Sequence, residues 1–273
     1  TWTRDNTTKT TYVFEGANTV GEFKTDADLD NFKLALNATL TAPAGLIVIT
    51  DIENSKVVYV DGVYQIIEEG AVAKIGETFY TSFASAYNAA QAGETITFLA
   101  DITEDVTVSK AVTIDGAGKT YTGAMTLKAD FIIKNVNFDG KGYNGYAITT
   151  RGAQYLTIED CTAKNYGYGF VQLPSATALT TVKNVTVSNM NYGVKVDYSN
   201  AVVLENVDIT AGVAAVLNSN YGEKTITIKN SELNILGTWT RDNTTKTTYV
   251  FEGANSIDEF ITDAAIDNFK LAV

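Results

Sequence analysis

The sequence predicts a mainly β chain: a parallel solenoid of about seven coils, with a short N-terminal capping helix and a small α+β region between modules. Three observations carry this. A pattern with starts 25, 24, 22 and 24 residues apart recurs from Phe131 onward. The whole stretch from Glu94 to Gly237 holds short β-branched segments and no helical periodicity. Finally, the opening of the chain returns at its end, at a constant offset of 237.

The recurring pattern reads FIIKNVNF from Phe131, LTIEDCTA from Leu156, TTVKNVTV from Thr180, VVLENVDI from Val202 and ITIKNSEL from Ile226. Its columns have a physical meaning. Ile133, Ile158, Val182, Leu204 and Ile228 form one apolar column; Val136, Cys161, Val185 and Val207 form another, with Ser231 the exception. Phe138, Ala163, Val187, Ile209 and Leu233 make a third. If each repeat is one coil stacked in register at about 4.8 Å, the inward residues become continuous aliphatic stacks. Between the first two columns stand Asn135, Asp160, Asn184, Asn206 and Asn230. Side chains of this kind tolerate a tight bend and bond to their counterparts above and below. Just before them Lys134, Glu159, Lys183, Glu205 and Lys229 alternate in sign, so unlike charges fall on adjacent coils. Gly145, Gly169, Gly193 and Ala215 each open a further apolar strand, which gives about three strands per coil.

The duplication is long. TWTRDNTTKTTYVFEGAN occupies 1–18 and again 238–255, and over the 36 pairs to the last residue 29 are identical. The expectation is a tandem array cut in mid-module, with residues 1–70 an inter-module region, 71–93 a β segment and capping helix, 94–237 the solenoid, and 238–273 the start of the next repeat. The second copy ending inside a helical pattern, and a first residue other than Met, fit an excerpt. The aromatic and aliphatic residues flanking the join, Leu236, Trp239, Tyr249, Phe251 and their counterparts Trp2, Tyr12 and Phe14, are the expected junction contacts.

Taken in order, Thr7–Phe14 reads as a Thr-rich strand stopped by Gly16. Thr25-Asp26-Ala27-Asp28 has a helix-start form, and Leu29, Phe32 and Leu36 follow at helical spacing, predicting a helix over 26–36. Pro43 and Gly45 precede a buried-looking strand, Leu46–Thr50. Lys56–Val60 and Val63–Ile67 are joined at Asp61-Gly62, a tight-hairpin signal. Val72–Tyr80 is a short β segment. Ser82–Ala92 is an amphipathic helix with Phe83, Ala86, Tyr87 and Ala90 on one face and Gly93 as its stop, placed to cap the solenoid.

Composition narrows the chemistry. With no His, a Ser–His–Asp triad, a His-ligated metal and imidazole acid–base catalysis are excluded. A single Cys excludes an intrachain disulfide and a Cys-based zinc site. A net charge of −12 opposes nucleic acid and anionic membranes. No apolar run reaches the roughly 20 residues of a membrane span. No cofactor, metal site or catalytic residue is expected.

The stretch from about Gly93 to Gly237 resembles the right-handed parallel β-helices of the pectate-lyase-like group. The helix followed by ETITFLADITEDVTVSKAVTIDGAGKT is similar to the opening of β-helix domains in bacterial surface and extracellular proteins. The resemblance implies an architecture that hosts both polysaccharide lyases and non-enzymatic fibres. It does not bring a lyase motif: the His signature is absent, and Arg151 is the one Arg in the solenoid, with Asp139, Lys141, Glu159 and Asp160 as potential neighbours.

Other motifs have structural readings. Asp115-Gly116-Ala117-Gly118-Lys119 lacks phosphate-loop spacing and reads as a turn between coils. Asp139-Gly140-Lys141-Gly142 reads as a loop. Cys161, in an inward column, reads as a small apolar residue. Tyr143, Tyr166, Tyr168 and Tyr192, with Tyr146, lie near the loops after the second strand. They form either an aromatic ladder supporting those loops or a strip for stacking against surface glycans. Asn6, Asn37, Asn184 and Asn243 begin Asn-x-Ser/Thr sequences. The leading expectation is a structural module of an extracellular filament or cell-surface fibre, concatenated head to tail with copies of itself. A glycan-binding adhesin or phage-type fibre is the alternative, and a polysaccharide lyase comes third.

Overall fold

The computed structural model describes residues 9–21, 31–175, 177–198, 201–218, 223–235, 246–257 and 267–272. Trp2, Leu236, Trp239, the Thr25–Asp28 helix start, Asn6 and Asn243 lie outside the described residues.

The solenoid is built as the columns demand. Along its first face, Thr95–Phe98, Val112–Asp115, Phe131–Lys134, Tyr155–Lys164, Leu179–Ser188, Ala201–Glu205, Lys224–Lys229, Thr247–Glu252 and Asn268–Ala272 pair in parallel, each with the next. Seven of these nine rungs fall in 94–237, the span expected to hold about seven coils. The other two belong to the second copy of the duplicated segment. The solenoid thus does not stop at residue 237: the sheet and the apolar core both run on, with Tyr249 buried in the same cluster as Ile228. The five rungs from Phe131–Lys134 to Lys224–Lys229 turn at the Asn column into a second strand, and third strands form a separate six-stranded parallel sheet. The registered pairs Ile133↔Ile158, Ile158↔Val182, Val182↔Leu204 and Leu204↔Ile228 are the predicted aliphatic stack, all buried.

The bend between the first two strands is a left-handed residue in every repeat: Asn135, Asp160, Asn184, Asn206 and Asn230 have φ between 46 and 55°. Asn and Asp accept this conformation more readily than other non-Gly residues. Their side chains form a ladder. Asn206 Nδ2 donates to Asn184 Oδ1 (3.2 Å), Asn184 Nδ2 to Asp160 Oδ1 (2.8 Å), and Asn135 Nδ2 to Asp115 Oδ1 (3.0 Å). The Asp160 side chain carries no N–H to pass on, so the ladder restarts at Asn135. Beside it run the alternating charges: Lys134 on Asp115 at 3.2 Å and Lys183 on Glu205 at 3.1 Å.

The N-terminal end of the stack is closed. A hairpin, Ala73–Ile75 with Thr78–Tyr80, pairs antiparallel to the first rung, which stops parallel addition there. A helix, Phe83–Ala89, lies over the core, as its apolar face predicted, burying Phe83, Ala86 and Tyr87. It is shorter than Ser82–Ala92. Ser82 is its N-cap, the Glu104 carboxylate accepts the Phe83 and Ala84 N–H at 3.0 Å each, and the helix ends at Ala89, four residues before Gly93. Tyr87 Oη accepts N–H groups of Ser109 and Lys110, tying the helix to the first coil. Phe83, Phe98, Tyr121, Phe138 and Phe170 continue inward as neighbouring rings 5.4–6.2 Å apart.

Before the cap sits a smaller β unit with two departures from expectation. Asn31–Leu34 is a strand, not part of a helix, and pairs parallel with Thr11–Phe14. Its Phe32 and Leu34 face inward with period two while Asn31 and Lys33 are half-buried. Helical spacing of three apolar residues was outweighed by a ready strand edge, and a helix this short would not be stable without tertiary support. The Leu46–Thr50 strand is reduced to Val48–Ile49 at a sheet edge, with Ile47 and Ile49 exposed rather than buried. The Asp61-Gly62 hairpin is as predicted, with both residues at positive φ, joining Ser55–Val60 to Val63–Glu68. That hairpin pairs antiparallel with Thr39–Thr41 and ends the parallel stacking of the small unit.

Candidate functional site

The feature with the most built-in specificity is the seam at the C-terminal end, where the second copy of the duplicated segment is seated. Lys224–Lys229 and Thr247–Glu252 pair over six residues, from Lys224↔Thr247 to Lys229↔Glu252. The Thr, Tyr and Val run supplies the β-branched and aromatic side chains that a half-buried strand favours. Tyr249 enters the core, and Phe251 packs against it. Lys229 Nζ lies 2.7 Å from Glu252, extending the Lys/Glu alternation across the join, and this hydrogen bond holds the lysine above its ordinary value.

The turn after this strand fits its neighbour closely. Gly253 has φ +69°, and a Cβ there would lie 2.0 Å from Asn230 Oδ1, so a larger residue would have to displace the Asn230 side chain as well as adopt a left-handed backbone. Asn230 Oδ1 instead accepts the Ala254 N–H at 3.1 Å, while the Ser231 N–H donates to Asn255 Oδ1 at 2.9 Å. Asn255 Nδ2 in turn donates to Glu252 O at 3.0 Å, which fixes the turn from within. Asn230 shares the left-handed bend of the Asn column, but its side chain makes no bond to Asn206 and turns instead to the copy.

The first copy has the same local structure. Thr11–Phe14 pairs with Asn31–Leu34 in the register that Thr248–Phe251 keeps with Asn268–Leu271. Tyr12 stacks on Phe32 at 5.6 Å and 13°, and Tyr249 on Phe269 at 5.6 Å and 12°. Asn18 Nδ2 donates to Glu15 O at 3.1 Å, as Asn255 does to Glu252. Gly16 also has φ +69°. What differs is the neighbour. Thr11–Phe14 is the end strand of its sheet, and among the described residues no strand pairs with its other edge. Val13 is 54% exposed, and a Cβ on Gly16 would meet nothing within 4 Å. The junction residues Tyr12, Phe14, Tyr249 and Phe251 therefore occupy matching strands, one pair on a strand whose outer edge no described strand pairs and the other on a strand paired on both sides.

The tyrosines divide. Tyr166 is inside, 1% exposed, its Oη–H donated to Gly123 O at 2.9 Å and its acidity suppressed chiefly by burial, so it is unavailable to a glycan. Tyr143 packs edge-on against it at 6.1 Å. Tyr146 stacks with Tyr168 at 5.9 Å and with Tyr192 at 6.5 Å, forming a short surface strip across three coils. Tyr168 is its most exposed member.

A second ladder lay outside the predicted columns. Asn165 Nδ2 donates to Asp139 Oδ1 at 2.8 Å and Asn189 Nδ2 to Asn165 Oδ1 at 2.5 Å, with both asparagines at positive φ. The Asn165 bond is the main reason Asp139 sits below the ordinary carboxylate value. The 24-residue step from Asn165 to Asn189 was the available signal. Asp139-Gly140-Lys141-Gly142 forms a turn beneath this ladder, closed by the Lys141 N–H on Asp139 Oδ1 at 3.1 Å. Asp115-Gly116-Ala117-Gly118 does the same, with the Ala117 N–H on Asp115 Oδ1 at 3.0 Å. Cys161 is buried, its thiol donating to Glu159 O at 3.1 Å and pushed up to about 12 mainly by burial. Asn184 spends its side-chain N–H on the ladder. Arg151 is exposed, and among the described residues it forms no ion pair. No group of three Asp, Glu or Cys side chains able to hold a metal occurs among the described residues.

The family model for the right handed beta helix region matches residues 111–259. The chain belongs to that family. The matched span passes through residue 237 and takes in the first strand of the second copy, so the right-handed β-helix absorbs the duplicated segment as further coils. No curated protein and no solved structure matches the chain.

Proposed function

We propose that this chain is a structural module of an extracellular or cell-surface fibre, joined end to end with copies of itself through the duplicated segment. The observation that carries the reading is the seam: a 36-residue sequence that begins the chain also recurs as the two coils seated on the last rung of the β-helix. A solenoid end is a template for further strands and must be capped or joined. Here one end is closed by a hairpin and helix, and the other is filled by a copy of the sequence that opens the module. Contacts of this head-to-tail kind propagate without closing and give filaments. The nine rungs at about 4.8 Å contribute about 4 nm to the axial repeat. Negative-stain imaging of the purified protein, or of two modules in tandem, should show rods or filaments with a repeat of several nanometres. A population of monodisperse globular particles under all conditions would sink the proposal.

A second reading, glycan binding, is favoured by one observation, the Tyr146–Tyr168–Tyr192 strip. Aromatic faces aligned along a surface offer stacking platforms to sugar rings. Oligosaccharide binding that disappears in Tyr168→Ala would support it, and silence across a broad glycan panel would end it. Polysaccharide cleavage has weaker support, because Arg151 stands exposed and forms no ion pair with a carboxylate among the described residues.

A further inference from the structure

We infer that the outer edge of Thr11–Phe14, which no described strand pairs, is a docking strand for the last β-helix rung of another chain, in the register that the second copy displays within the chain. This rests on the end-to-end reading above and specifies its contact. Replacing Thr248–Glu252 by the identical residues Thr11–Glu15 sets Thr11 opposite Thr225, Tyr12 opposite Ile226, Val13 opposite Thr227, Phe14 opposite Ile228 and Glu15 beside Lys229.

Four features of the first copy are already in the docked form. The backbone of Thr11–Phe14 is a strand, held by Asn31–Leu34 in the same register as in the second copy. Tyr12 is stacked on Phe32 as Tyr249 is on Phe269. The Asn18 amide closes the following turn as Asn255 does. Gly16 keeps the +69° φ of Gly253 and leaves open the space that Asn230 fills beside Gly253. Preorganisation of this kind lowers the ordering cost of association. The residues left exposed by it, Val13 above all, are those whose twins the seam covers. Within one chain the second copy holds the site on the last rung, so a partner enters by exchange, as identical elements do in domain swapping.

The test uses the full chain with a protease site inserted after Gly237, carrying Val13→Cys and Thr227→Cys. Thr227 faces Val250, the twin of Val13, across adjacent parallel strands, a separation a disulfide can span. Cys161 is buried and serves as an internal bystander. The protein is cut, cycled through mild urea with release of the 36-residue segment verified by gel filtration, and oxidised. The expected result is a ladder of disulfide-linked dimers and larger species, at least tenfold more abundant than from uncut protein and rising with concentration. Uncut Thr227→Cys/Val250→Cys should close within one chain and run as monomer. If cut chains associate by light scattering without the Val13–Thr227 link, the register is overturned while the end-to-end reading stands. If cut chains stay monomeric after the segment has been released, both fall.

Discussion

In the first copy of the duplicated segment Phe32 and Leu34 are fully buried, whereas their counterparts Phe269 and Leu271 are 47% and 88% exposed. On the opposite side the order reverses. Tyr249 is buried against the last rung, while Tyr12 is only half-buried and Val13 stands exposed. Among the described residues, each copy is thus more buried where the other is more exposed. The first is backed by Val48–Ile49 and by Leu40, Ala42 and Tyr64; the second is backed by Lys224–Lys229. The lesson is that identical residues, with identical local hydrogen bonds and ring stacks, differ in energetic role through neighbours supplied from elsewhere in the chain. In a repeat architecture, stability is a sum of unit and interface terms, and here one unit can be seen with two different interfaces.

Matched substitutions in the two copies test this contrast. The widest gap is expected at the trailing edge: Leu34→Ala should cost about 3 kcal/mol, while Leu271→Ala should stay within about 0.5 kcal/mol. Denaturant unfolding read separately for each end by hydrogen exchange would measure both, and equal losses would show that exposure does not distinguish the copies. On the leading edge the sign inverts. Tyr249→Ala should weaken the seam by about 3 kcal/mol, and Tyr12→Ala by about 1 kcal/mol, since it surrenders less buried area; protection of the Thr247–Glu252 amides would report the first.

A smaller gap is expected for the glycines. Gly16→Ala and Gly253→Ala share the left-handed strain, about 1 kcal/mol, but only the latter collides with Asn230, adding about 1–2 kcal/mol of overpacking. Asn230→Ala in the Gly253→Ala background should restore part of that loss, and no rescue would argue against the collision.

Acid should separate the β-helix body from these copy effects. Burial alone would raise Asp115, but Asn135, the Ala117 N–H and Lys134 together hold it below 3.8, and the Asn165 bond lowers Asp139. Because the folded values lie below the unfolded one, the stabilisation is present above about pH 4 and is lost as pH falls through the folded values. Asn135→Ala and Asn165→Ala should flatten that acid limb in a stability–pH profile, the smallest of these effects.

Much of the β-helix was legible because its constraints are local and periodic. A residue at a left-handed bend is read from Asn135, Asp160, Asn184, Asn206 and Asn230, and stacked apolar columns from Ile133 to Ile228. The ladder of Asn165 and Asn189 escaped notice because it has few rungs and its first member is Asp139, in a turn with its own Gly-rich reading. Tyr166 could not be told from Tyr168 by sequence, since two residues apart in an irregular turn they face opposite ways. The helix expected over 26–36 failed for a related reason. Phe32 and Leu34 satisfy a strand period as well as a helical one, and only the adjacent Thr11–Phe14 edge chose between them.

The sequence by itself determined the period of the coils, the bends that punctuate them and the duplication of the 36-residue segment. These follow from steric preference and side-chain alternation, which travel with the residue. The tertiary structure alone decided which face of each copy is covered, because burial depends on the partner strand rather than on the residue. For that reason Leu34 and Leu271, the same letter in the same local structure, lie at opposite ends of the exposure scale.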